Sequence, residues 1–125
     1  MMINIYAALA GFLAGAIAGA VSGMFFHDEN FLGGYPSWKR RLVRLGHISF
    51  FGLGLINLSL ALAARSLGIE SELTAASVLL LVAIITMPTA CYLAAFRKSL
   101  RQLFAVPVLS AIVGISLFLW KVASR

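Results

Sequence analysis

The side chains of this sequence that could bind a soft metal ion lie in or beside long apolar segments. They are His27, His47, Met24, Met87 and the single cysteine, Cys91. Imidazole, thioether and thiolate groups are ligands that Cu(I) and haem iron accept. If the apolar segments are antiparallel helices, these five side chains lie at similar depth, so a copper or haem b site near His47 is one hypothesis. No pair has a diagnostic spacing such as C-x-x-C or H-x-x-x-H, and the preferred interpretation has no cofactor.

Asn57 is a polar residue in the middle of the second apolar segment. At 100° per residue it shares one helix face with His47 and Gly54. An unpaired amide in hydrocarbon is costly, so Asn57 needs a partner. We expect an interhelical hydrogen bond that contributes roughly 0.6–2 kcal/mol. A ligand or ion contact at Asn57 is the alternative.

The carboxylates are placed unfavourably for membrane catalysis or proton coupling. All four of them, Asp28, Glu29, Glu70 and Glu72, lie between the apolar segments. Proton-coupled pumps usually need a carboxylate within a span. The chain also has no nucleophile-elbow or phosphate-loop motif. We therefore predict a protein that is not an enzyme.

The elements that position these residues are four apolar segments. The chain has 125 residues, of which 62% are hydrophobic and 11% are charged, whereas a soluble domain is nearer a quarter charged. Each segment is close to the ~20 residues that cross a bilayer. The predicted fold is all-α, a single transmembrane four-helix bundle spanning 1–125. Its helices are expected at about 3–26, 37–65, 72–96 and 100–121.

Several residues predict where these helices begin and end. Ser37 can cap the second helix, and Gly68 can end it in a left-handed conformation. Ser71 can cap the third helix. Ser99 and Gln102 have the spacing of a capping box and place the start of the fourth helix near 100.

Lys and Arg predict the topology. The net charge is +6, and seven of the ten Lys and Arg lie in the first and third connections. The positive-inside rule then places both termini on the outer side of a membrane, and a bacterial cytoplasmic membrane fits this pattern. Basic residues beside apolar runs favour anionic lipid headgroups as partners rather than nucleic acid. The predicted interface anchors are Trp38, Lys39, Arg40, Arg41, Arg44 and Trp120.

Glycine recurs at every fourth position of the first helix, at Gly11, Gly15, Gly19 and Gly23. Small residues let transmembrane helices approach closely. The stripe can pack within the chain, with Gly54 and Gly114 as small counterparts on the second and fourth helices. It can instead form a homo-oligomer or dock the chain on a larger membrane complex.

These observations favour a small multi-pass membrane protein that serves as an accessory or interaction subunit and packs through its glycine-rich first helix. Two alternatives stay open. One is a haem- or copper-binding redox protein that uses His47, and the other is a small channel or carrier lined by the glycine stripe and Asn57.

Overall fold

The computed structural model describes all residues from Met1 to Arg125, and it is helical with no strand. The all-α prediction is therefore confirmed. Three short 3-10 segments, Phe31–Gly33, Glu70–Leu73 and Lys98–Phe104, lie in the connections. The four α-helices are α1 (Met2–Phe25), α2 (Trp38–Leu67), α3 (Thr74–Phe96) and α4 (Ala105–Ala123).

Each of the four helices is long and apolar enough to cross a membrane. At 1.5 Å rise per residue, even α4 with its 19 residues is close to the ~30 Å thickness of a bilayer core. Four such helices are compatible with a small multi-pass membrane protein. We call the end with both termini and the second connection the terminal end. The opposite end, with the first and third connections, is the loop end.

The helices pack in chain order, with α2 and α3 in the centre. α2 packs against α1 and α3, and α3 packs against α2 and α4, whereas α1 touches α3 only lightly. The helix partner of α4 is α3. Only Pro107 and Gly114 of α4 are buried, so this helix forms one side of the bundle and leaves most of its surface uncovered.

Two apolar clusters hold the ends of the bundle together. The cluster at the terminal end joins α2 to α3 and contains Leu60, Ala64, Ile69, Leu73, Ala76 and Leu80. A cluster at the loop end joins the first turns of α2 to the last turn of α3 and contains Leu42, Val43, Ala94 and Ala95. An ion pair between Lys121 and Glu72 also links α4 to the second connection.

The two residues predicted to bound α2 have those roles, although the helix ends at Leu67 rather than near residue 65. The hydroxyl of Ser37 accepts a hydrogen bond from the backbone N–H of Arg40, which is the N-cap interaction. Gly68 has φ 67° and ψ 28°, the left-handed conformation in which a glycine ends a helix without a Cβ clash.

The start of α4 differs from the prediction. Lys98–Phe104 is a 3-10 segment, the α-helix begins at Ala105, and no side chain caps either element. Pro107 explains the difference. In a helix that began near residue 100, Pro107 would remove an internal hydrogen bond and clash with the preceding turn. In the observed helix Pro107 lies in the first turn, where its missing N–H costs little.

The start of α3 is also later than predicted. Its N-cap position is Leu73, with no side-chain cap. Ser71 lies in the preceding 3-10 segment, where its carbonyl accepts a hydrogen bond from the hydroxyl of Thr74. The helical turn therefore begins with the 3-10 segment at Glu70, four residues before α3 begins at Thr74.

Candidate functional site

A polar network of three side chains joins α1, α2 and α3. The Nδ2 atom of Asn4 donates to Oδ1 of Asn57 over 2.8 Å. The hydroxyl of Ser77 donates to Oδ1 of Asn4. Asn4 and Asn57 are both 0% exposed, and Ser77 is 6% exposed. Their polar groups meet one another rather than an open space.

Backbone carbonyls complete this network. The Nδ2 atom of Asn57 donates to the carbonyl of Leu53 at 2.9 Å and to that of Leu80 at 3.1 Å. Asn4 Nδ2 also donates to the carbonyl of Ser77 at 3.3 Å. Both amide hydrogens of each asparagine therefore have acceptors, which removes the cost of burying these amides.

The network lies closer to the terminal end than the sequence indicated. Asn57 was expected near the middle of the span, but its partner Asn4 lies in the first turn of α1, and Ser77, which bonds to Asn4, lies in the first turn of α3. Sequence reasoning did not single out these two partners. The available signal for Asn4 was a primary amide inside an otherwise apolar helix, which needs a partner for the same reason as Asn57.

The glycine stripe of α1 faces α2 along most of its length. A Cβ at Gly15 would lie 2.7 Å from a ring carbon of Phe51, and one at Gly19 would overlap Nε2 of His47. A Cβ at Gly11 would lie 3.3 Å from the backbone oxygen of Phe50. Glycine at these three positions lets the two helices approach closely.

The remaining glycines of the predicted packing set behave differently from one another. Gly23 has no atom within 4 Å of a Cβ built on it, so the stripe is not in contact at its last position. A Cβ at Gly54 would lie 2.6 Å from the ring of Phe12 on α1. Gly114 faces the side chain of Leu80 on α3, not the first helix.

His47 lies between α1 and α2. Its ring contacts the backbone of α1 at Gly19 and meets the ring of Phe51 edge-on, with 5.5 Å between the centroids. The side chain is half-buried, and α1 forms the wall in front of it.

The other candidate ligands do not converge on His47. No three His, Cys, Asp or Glu side chains are close enough to hold a metal ion together. Cys91 is buried and packs beside Gly46 on the α3 side of α2, while Met87 packs on the cluster of Leu53 and Ala83. His27 is exposed in the first connection. His47, Cys91, Met87 and His27 therefore lie in separate environments and do not form the single ligand layer that we expected.

Arg40, which we predicted as an interface anchor, is buried within the protein at 6% exposure. Its Nη2 donates to the carbonyl of Phe26 at 3.2 Å, and its Nη1 donates to the carbonyl of Asp28 at 3.3 Å. The guanidinium also lies 4.9 Å from the centroid of the Phe26 ring. A cation placed on carbonyls that follow α1 complements the negative end of that helix.

The other predicted anchors reach the surface at both ends. Arg44 stacks on the ring of Tyr35 at 4.1 Å, and Arg41 is exposed. At the terminal end Trp120 is 75% exposed. Trp38 is partly buried because its ring packs on the loop-end cluster. Its indole Nε1 donates to the carbonyl of Ala94 at 2.7 Å, which fixes the first turn of α2 on the last turn of α3.

A cleft of about 480 Å³ opens at the loop end between the start of α2 and the end of α3. Leu32, Trp38 and Phe96 form its apolar walls, and Lys39 and Lys98 are its charged residues. The ammonium of Lys98 lies 5.7 Å from the Trp38 ring, and that of Lys39 lies 5.8 Å from the Phe96 ring. No carboxylate lines the cleft.

Comparison with known proteins gave no match to a protein-family model, a curated protein or a solved structure.

Proposed function

We propose that this chain is a small, non-enzymatic integral membrane protein that serves as an accessory or interaction subunit of a larger membrane assembly. The observation that carries the proposal is the position of α4. This helix packs against one neighbour, and only two of its 19 residues are buried.

The exposed side of α4 is a continuous apolar surface. Leu109, Ile112 and Val113 are between 45% and 60% exposed. A second transmembrane helix that packs on this surface would gain van der Waals contact over several turns. The glycine stripe of α1 is less suitable, because Gly11, Gly15 and Gly19 already face atoms of α2 and α3.

Site-directed crosslinking in native membranes tests this proposal. In a Cys91→Ala background, a cysteine at Leu109 or Ile112 carries a benzophenone maleimide on the free side of α4. The matched control is a cysteine at Leu13, which is 64% exposed on α1. We expect a discrete crosslinked product from the α4 positions and none from the control.

Two outcomes would overturn the proposal. One is crosslinking of lipid alone at both α4 positions, combined with a strictly monomeric protein in mild detergent. The other is equal crosslinking from Leu13 and from α4, because contact without a preferred face indicates random collision in the bilayer.

A further inference from the structure

We propose that the loop-end cleft between α2 and α3 binds the phosphate of an anionic phospholipid, with Lys39 and Lys98 as the charged contacts. The inference rests on the membrane placement in the proposed function and not on the accessory role.

The charge distribution favours an anion at this place. Lys39 and Lys98 belong to different elements and are brought to one cleft by the packing of α2 on α3. Neither ammonium makes a salt bridge, since the ion pair of this chain joins Lys121 to Glu72 at the other end. Two ammonium groups without a carboxylate partner in the lining of one cleft make that cleft attractive to an anion.

The rest of the cleft fits a lipid better than a soluble anion. Phe96 is 62% exposed, and together with Leu32 and the Trp38 ring it forms an apolar wall directly beside the ammonium groups. Trp side chains favour the headgroup level of a bilayer, and lysines there attract anionic lipids. An acyl chain can lie along the apolar wall while the phosphate contacts the ammonium groups.

The Trp38 ring is a suitable reporter because its indole N–H is fixed on Ala94. The chain has two tryptophans. In the Trp120→Phe variant, Trp38 is the single tryptophan, so the tryptophan emission reports on the cleft. In nanodiscs of phosphatidylcholine, brominated phosphatidylglycerol is the quenching probe, and brominated phosphatidylcholine at equal bromine content is the reference.

We expect stronger quenching of Trp38 by phosphatidylglycerol than by phosphatidylcholine. The double variant K39Q/K98Q should weaken this preference by roughly tenfold, because each lysine near an anionic lipid contributes to its affinity. The matched control is R97Q/R101Q, which removes two positive charges from the same end but not from the cleft. It should change the preference by less than about twofold.

Three results would overturn the proposal. An equal loss of the preference for phosphatidylglycerol in both double variants means that the overall positive charge of the loop end attracts the lipid, and not the cleft. Equal quenching by the two lipids means that the cleft does not select a negative headgroup. Full displacement by millimolar glycerophosphoglycerol, the headgroup without acyl chains, means that the site binds a soluble anion. Because binding is measured on the purified chain, failure here is distinguishable from failure of the α4 crosslinks.

Discussion

The imidazole of His47 lies against the backbone of α1 at Gly19, and this contact exists because residue 19 has no side chain. A Cβ at that position would overlap Nε2 of the ring. The histidine that carried the metal hypothesis is therefore part of the contact between α1 and α2.

Gly19→Ala should lower the free energy of unfolding by about 1–3 kcal/mol, because the added methyl group forces His47 or α1 to move. Unfolding by sodium dodecyl sulfate in mixed micelles measures the change. Gly23→Ala is the matched control: it has open space around it, so it should be neutral or stabilise the helix by up to about 1 kcal/mol.

The His47→Ala background should suppress the effect of Gly19→Ala. Without the imidazole, the alanine at position 19 has room, and the double variant should be at least about 1 kcal/mol more stable than the sum of the single changes predicts. Additive effects would show that the two residues do not share the contact described above.

Asn57→Leu should destabilise the bundle by about 1–3 kcal/mol. The change removes the hydrogen bonds that Asn57 makes with Asn4 on α1 and with the carbonyl of Leu80 on α3. The measurement is the same detergent unfolding titration. Ser59→Ala, an exposed position on α2, should stay within about 0.5 kcal/mol. An Asn57→Leu variant as stable as Ser59→Ala would contradict the role of the network.

Arg40→Met should loosen the connection between α1 and α2. The change removes the donors that hold the carbonyls of Phe26 and Asp28, at a cost of about 1–3 kcal/mol. Hydrogen exchange should rise in residues 26–34. The matched control is Arg41→Met, which removes one positive charge from an exposed neighbour. Equally faster exchange of residues 26–34 in this variant would mean that the loss of charge causes the effect.

Protein expressed with haem and copper supplied should show no Soret band and no stoichiometric copper, and His47→Ala should leave the absorbance spectrum unchanged. The physical reason is that His47, Cys91 and His27 lie in separate environments. Absorbance and elemental analysis measure this directly. A Soret band that disappears in His47→Ala would support the redox alternative.

The four helices were predictable because bilayer-length apolar segments are a local property of the chain. Boundaries set by one residue, such as Ser37 and Gly68, were predictable for the same reason. The start of α4 was not, because the spacing of Ser99 and Gln102 favoured an early start while Pro107 required a later one. The steric cost of an internal proline is larger than the gain from a capping box.

The site was harder to predict because it depends on rotation about the helix axes. Gly46 and His47 are adjacent, yet they are about 100° apart around α2. That rotation directs His47 to α1 while Gly46 meets Cys91 of α3. Similar depth along the helices predicted that His47 and Cys91 lie in one layer. Depth alone does not show which side of a helix a residue faces. Asn4 and Ser77 were missed because their role appears only when three helices are placed together.

The polar network has a consequence for the order of biosynthesis. Asn4 is made before its two partners, because Asn57 and Ser77 follow it by 53 and 73 residues. During synthesis the amide of Asn4 gains Asn57 when α2 has been made, but it lacks Ser77 until the first turn of α3 leaves the ribosome. The helix α1 therefore completes its polar contacts only after α3 has been made, and a chain that stops before Ser77 lacks the hydrogen bonds that Ser77 makes with Asn4.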